Sequence, residues 1–81
     1  MMQAEQIKQM IETGLPGSQA QVFGDDGQHF EAIVVSPAFV GKGMLEQHRL
    51  VYGALGDNMR SAIHALSMKT YTPESWANKN G

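Results

Sequence analysis

An α+β domain is what this sequence predicts, and three observations predict it. Apolar residues recur at helical spacing near the N-terminus and again from residue 44. An Asp-Gly turn joins two stretches with strand character, and a third such stretch follows the second helix. The order reads helix, strand, strand, helix, strand, short helix. A hairpin, a crossover helix and a third strand then make a small three-stranded mixed sheet with helices on one face, in a single domain over residues 1–81.

The first helix spans 3–14. Ala4, Ile7 and Ile11 share one face with Met10 beside them, and Gln3, Glu5, Gln6, Lys8 and Glu12 make the polar face. Gly14, Pro16 and Gly17 stop it. A strand follows at 19–24, where Ala20 and Val22 alternate with glutamines. Asp25-Asp26-Gly27-Gln28 is the turn, with Asp26 and Gly27 at its centre, so that Phe23 faces Phe30 and Gly24 faces His29. The return strand runs from His29 to Val35, with Phe30, Ala32 and Val34 as its apolar parity. Ser36-Pro37 ends it, and Phe39 anchors the connector 36–43.

The second helix spans Met44 to Met59. Its stripe is Leu45, His48, Tyr52, Leu55 and Met59, widened by Val51. Gly53 and Gly56 weaken this helix by up to ~1 kcal/mol each relative to Ala, which close packing against another element would explain. Met44, Met59 and Met68 read as core filling. The third strand is 62–71. Thr72 caps a last helix that has Pro73 at its first position and Trp76 as anchor, and that frays from Asn78.

Composition narrows the function. A chain with 42% hydrophobic and 17% charged residues is not a charge-swollen disordered one. A net charge of −2 argues against holding DNA by a bulk positive field. No cysteine is present, which suggests a reducing, cytoplasmic setting and removes metal frameworks built from Cys alone. No apolar run approaches the ~20 residues of a membrane span, and no signal peptide is visible. No serine sits in a Gly-x-Ser-x-Gly elbow, and Gly41-Lys42-Gly43 is too short for a phosphate loop, so an enzyme is not expected.

Metal ligation would fall to His29, His48, His64 or the carboxylates. His29 opens a strand with the parity of Glu31 and is expected to be accessible; taken alone, it is more often an exposed strand histidine of no consequence. His48 lies on the helical stripe and reads as a partly buried histidine bonded to a neighbouring element. His64 shares parity with Leu66 and Met68, so packing competes with ligation there. Lys42, Arg49, Arg60 and Lys69 make at most a modest basic surface.

Four stretches in order and spacing resemble the BolA family: Phe39-Val40-Gly41-Lys42, Gln47-His48-Arg49-Leu50-Val51-Tyr52, Ile63-His64-Ala65-Leu66, and Lys69-Thr70-Tyr71-Thr72-Pro73-Glu74-Ser75-Trp76. The hairpin text Gly24-Asp25-Asp26-Gly27-Gln28-His29-Phe30 is most similar to the short bacterial subgroup. The resemblance implies a fold like the type II KH topology. It also implies a non-enzymatic partner of a monothiol glutaredoxin, acting in iron–sulfur cluster trafficking or iron homeostasis. A [2Fe–2S] cluster would be shared: the glutaredoxin cysteine and a glutathione thiolate on one side, His64 with His29 on this side, and no cluster on the isolated chain. A homodimer is a further expectation. The alternative is a KH-like nucleic-acid-binding module or stress-responsive regulator using Arg49, Lys42 and Lys69.

Overall fold

The computed structural model describes residues 2–61, 63 and 65–80. Within it the chain runs α1 (Ala4–Gly14), β1 (Gln19–Phe23), β2 (His29–Val35), a 3₁₀ turn (Pro37–Phe39), α2 (Met44–Leu55), α3 (Asn58–Ser61), β3 (Ala65–Tyr71) and α4 (Pro73–Asn80). The sheet order is β1-β2-β3, with β1 antiparallel and β3 parallel to the central β2. A parallel neighbour requires a crossover, and α2 supplies it. The α+β class and the mixed three-stranded sheet are as the sequence predicts.

Alternation decides the layers. Ala20, Phe30, Ala32 and Val34 are buried, and Gln19, Gln21, Phe23, His29 and Glu31 are exposed. The buried parity meets Ile7, Ile11 and Leu15 of the first helical segment and Val51 and Leu55 of α2 in one apolar cluster with Phe39 and Ile63. Phe39 is fully buried, and a side chain of that size contributes ~1.5–3 kcal/mol by leaving water. The hydroxyl of Ser36 accepts a bond from the Ala38 amide and starts the turn that carries Phe39 inward.

The hairpin register differs from the expected one. Phe23 pairs with Glu31 and Val22 with Ala32, one residue away from a turn centred on Asp26-Gly27. Directly opposite residues share a face, so the expected pairing would have set the exposed parity of β1 beside the buried parity of β2. The loop between Phe23 and His29 is longer than a two-residue turn and absorbs the difference. Gly27 still takes the left-handed conformation, at φ 74°.

The second helix also departs from expectation. It ends at Leu55; Gly56 turns the chain at φ 58°, and Met59 falls in α3. Leu45 (64% exposed), Tyr52 (40%) and Met44 (71%) face solvent, and Val51 and Leu55 face the core with Leu50 and Ala54 beside them. The stripe is therefore rotated from the predicted one. Met59 and Met68 do pack against the core, and Met44 does not. Neither Gly53 nor Gly56 is closely packed, since a Cβ at either would meet open space. The close approach is at Gly14, where a Cβ would lie 2.6 Å from Ala54 Cβ and 2.9 Å from its Cα. This small-residue contact sets α1 against α2.

The expected third strand begins at Ala65 in the described residues; Ala62 and His64 lie outside them. The hydroxyl of Thr72 accepts from the Ser75 amide at 3.1 Å and caps α4, and Trp76 stacks at a tilt on Tyr71 with ring centroids 5.1 Å apart. This last helix stays helical through Asn80 and does not fray at Asn78.

Candidate metal-binding end of the sheet

The loop Gly24–Gln28 ends where β2 begins, and Asp26 organises that junction. Its Oδ1 accepts the main-chain N–H groups of Gln28 and His29, each at 2.8 Å, as an Asx-type turn does. Its Oδ2 lies 2.9 Å from His29 Nδ1. These contacts hold the Asp26 carboxyl well below the usual carboxylate range. The His29 amide is the largest cause, followed by the His29 ring and the Gln28 amide. The sequence reading accounts for Asp26 by the turn alone; its second role, orienting the imidazole, is legible only as an Asp three residues before a His.

The His29 side chain is 68% exposed, as its strand parity predicts. With Nδ1 turned to a carboxylate, the ring has the orientation that metal-ligating histidines commonly take, in which Nε2 meets the metal. His29 lines a groove of about 340 Å³ with Phe23, Asp25, Glu31, Ala65 and Ser67.

In the parallel register, His29 is the partner of Ala65, whose amide donates to Gln28 O at 2.9 Å. Ala65 is the chain neighbour of His64, and His64 itself lies outside the described residues. Among the described residues no three His, Cys, Asp or Glu side chains gather as a metal site. His29 suits one ligand of a site completed by other groups. An imidazole fits a [2Fe–2S] cluster chemically, since histidine replaces thiolate on one iron in Rieske centres.

His48 belongs to α2, away from this groove. It is half-buried as expected, but among the described residues its side chain makes no hydrogen bond, so the anticipated bond to a neighbouring element is absent. Lys42, in the connector, and Arg49, on α2, are exposed. Lys69 is exposed on the open face of the sheet, in a shallow groove with Phe23, Glu31, Ile33 and Ser67. The sheet therefore separates Lys69 from the side that α2 covers. The Arg60 side chain lies outside the described part. No helix among the described residues is long and apolar enough to cross a membrane.

Comparison with known proteins gives a consistent picture. The family model described as BolA-like protein matches residues 7–75. The acid stress protein IbaG of Escherichia coli (strain K12) is 35% identical over 77 residues, 94% of this chain and 90% of that protein. The DNA-binding transcriptional regulator BolA of the same strain is 38% identical over 48 residues, 59% of this chain. The aligned part is 46% of that regulator, and the match to SufE-like protein 1 of Arabidopsis thaliana covers 14% of it, so the chain spans less than half of these two relatives. The structure of a BolA protein homologue from Coxiella burnetii superposes with a TM-score of 0.87 at 54% identity, covering 95% of this chain and 99% of that one.

Proposed function

The chain belongs to the BolA-like family, and we propose on that footing that it is a non-enzymatic adaptor. It joins a monothiol glutaredoxin through a shared [2Fe–2S] cluster, in the trafficking of such clusters or in iron homeostasis. The observation that carries the reading is His29, exposed at the sheet end and held through Nδ1 by Asp26, on a strand whose parallel partner Ala65 follows His64 in sequence. His29 Nε2 and His64 would hold one side of the cluster, and the partner's cysteine with glutathione the other. When bound, the cluster supplies iron that exchanges more readily from imidazole than from thiolate. The role of this chain is to present oriented imidazoles.

The test is anaerobic reconstitution with a monothiol glutaredoxin and glutathione, read by visible absorbance and iron content. A coloured heterodimer is expected. Occupancy should fall more in His64→Ala than in His29→Ala, because the resemblance around His64 is the stronger. A stable heterodimer without iron, or full occupancy in both variants, overturns the reading. The relative described as a DNA-binding regulator suggests another role, but Lys69 lies on the open face of the sheet and Arg49 on α2, which covers the other side.

A further inference from the structure

The two edges of the sheet are β1 and β3; Glu12 caps the outward Ala20 N–H on β1, and no side chain among the described residues caps β3. In its parallel ladder with β2 the odd residues bond inward: Ala65 N–H reaches Gln28 O, and Ser36 N–H reaches Tyr71 O. Alternation then turns the main-chain N–H and C=O groups of Leu66, Met68 and Thr70 outward. No described residue bonds these groups. Such an edge is a template for another strand.

We propose that β3 pairs antiparallel with β3 of a second copy, about a two-fold axis through Met68, to make a continuous six-stranded sheet. The register follows from the residues. Met68 faces its own mate, and Leu66 faces Thr70, each facing pair exchanging both N–H···O=C bonds. Ser67 then lies opposite Lys69, and Ala65 opposite Tyr71, so small residues meet large ones and no like charges stand directly opposed.

Charge specifies the same occupant. On the open face, β2 and β3 place Glu31 beside Ser67 in one cross-strand row. The proposed pairing extends that row to Lys69 of the second copy, about two strand spacings (~10 Å) from Glu31 and with only the small Ser67 between. Two extended side chains span that distance. Within one chain, among the described residues, neither Glu31 nor Lys69 has an ion-pair partner. The dimer forms the pair twice. Because the strands run antiparallel, the two His29 ends stand at opposite ends of the joined sheet.

Sedimentation equilibrium over a concentration series, with amide hydrogen exchange at the same concentrations, tests it. Wild type should show a monomer–dimer equilibrium. Amides of Leu66, Met68 and Thr70 should gain protection with concentration, and those of Ser67 and Lys69, already bonded to β2, should not. Lys69→Glu sets a carboxylate toward Glu31 and should weaken dimerisation roughly 2- to 30-fold for the two symmetric contacts. The swap Glu31→Lys with Lys69→Glu should restore it. A monomer at every concentration overturns the proposal and leaves the edge to a strand of another protein. So does a dimer that is indifferent to Lys69→Glu, or that protects amides elsewhere.

Discussion

The edges of this small sheet are built alike and finished differently. On β1 the outward N–H of Ala20 donates to Glu12 Oε2 at 3.0 Å, and Glu12 is itself held by Lys8 at 2.9 Å. On β3 the outward groups of Leu66, Met68 and Thr70 meet no such cap among the described residues. The difference is one group deep: a single carboxylate from the preceding helix occupies the Ala20 amide, a site that an incoming strand would use. It also shows why the guard is on β1. That strand follows α1 after a short turn, so the last turn of the helix lies alongside it. β3 is followed by α4, which stacks on Tyr71 at the end of the strand and not along it.

The largest effect should come from moving the guarding helix. Gly14→Ala would normally stabilise a helix, but here the new Cβ meets the Ala54 main chain. We expect a net loss of ~1–3 kcal/mol by denaturant titration. A gain in stability would show that the close contact between α1 and α2 is not what seats Glu12 on the edge.

Removing the guard itself should cost less. Glu12→Ala leaves the Ala20 amide without its charged acceptor and should lower stability by about 1 kcal/mol, whereas Glu12→Gln keeps an acceptor and should lose a smaller part. If the cap matters, Glu12→Ala should also make β1 prone to strand pairing, visible as concentration-dependent association in the presence of Lys69→Glu.

Acid sharpens the same comparison. The Ala20 amide first, and then Lys8, hold the Glu12 carboxyl below its ordinary range. The unfolded chain, with an ordinary glutamate near ~4.3, therefore takes up its proton first as pH falls. The contribution of Glu12 is complete above that value and is lost as pH drops through the lowered one. Asp26 acts with the same sign from the aspartate range, near ~3.9, downward. A titration of the unfolding midpoint should show a shallower acid limb in Glu12→Gln than in wild type; parallel limbs would mean that the cap does not titrate with folding. The smallest effect should be that of Lys8→Ala, which loosens the guard without removing it. Its change in midpoint should fall within the scatter of surface substitutions.

Much of the fold is legible in the order of residues, because it depends on short-range periodicity and turn chemistry. The helix–strand order, the buried parity of Phe30, Ala32 and Val34, the anchoring of Phe39 and the Thr72-Pro73 helix start follow from neighbours a few positions apart. The exposure of His29 follows from the same parity. The hairpin register is legible too: Ala20 and Val22 share a face with Ala32 and Val34 only when they pair with them directly, as Ala20 does with Val34 and Val22 with Ala32, and a two-residue Asp-Gly turn is incompatible with that pairing.

Contacts between distant segments are another matter. The face of α2 depends on where α1 and the sheet lie, so Leu45 and Tyr52, apolar and correctly spaced, are left in water while Val51 and Leu55 are buried. Glu12 reads as one polar residue among several on a helix and becomes the cap of a strand. Asp26 reads as a turn residue and becomes the support of an imidazole. His29 and Ala65 are 36 positions apart in sequence and become register partners through the crossover. Local propensity is set within a few residues, where each side chain acts on its own backbone. Which helix face is buried, which edge is covered and which residues pair across the sheet are set by packing the whole chain into one core, and only the tertiary structure decided them.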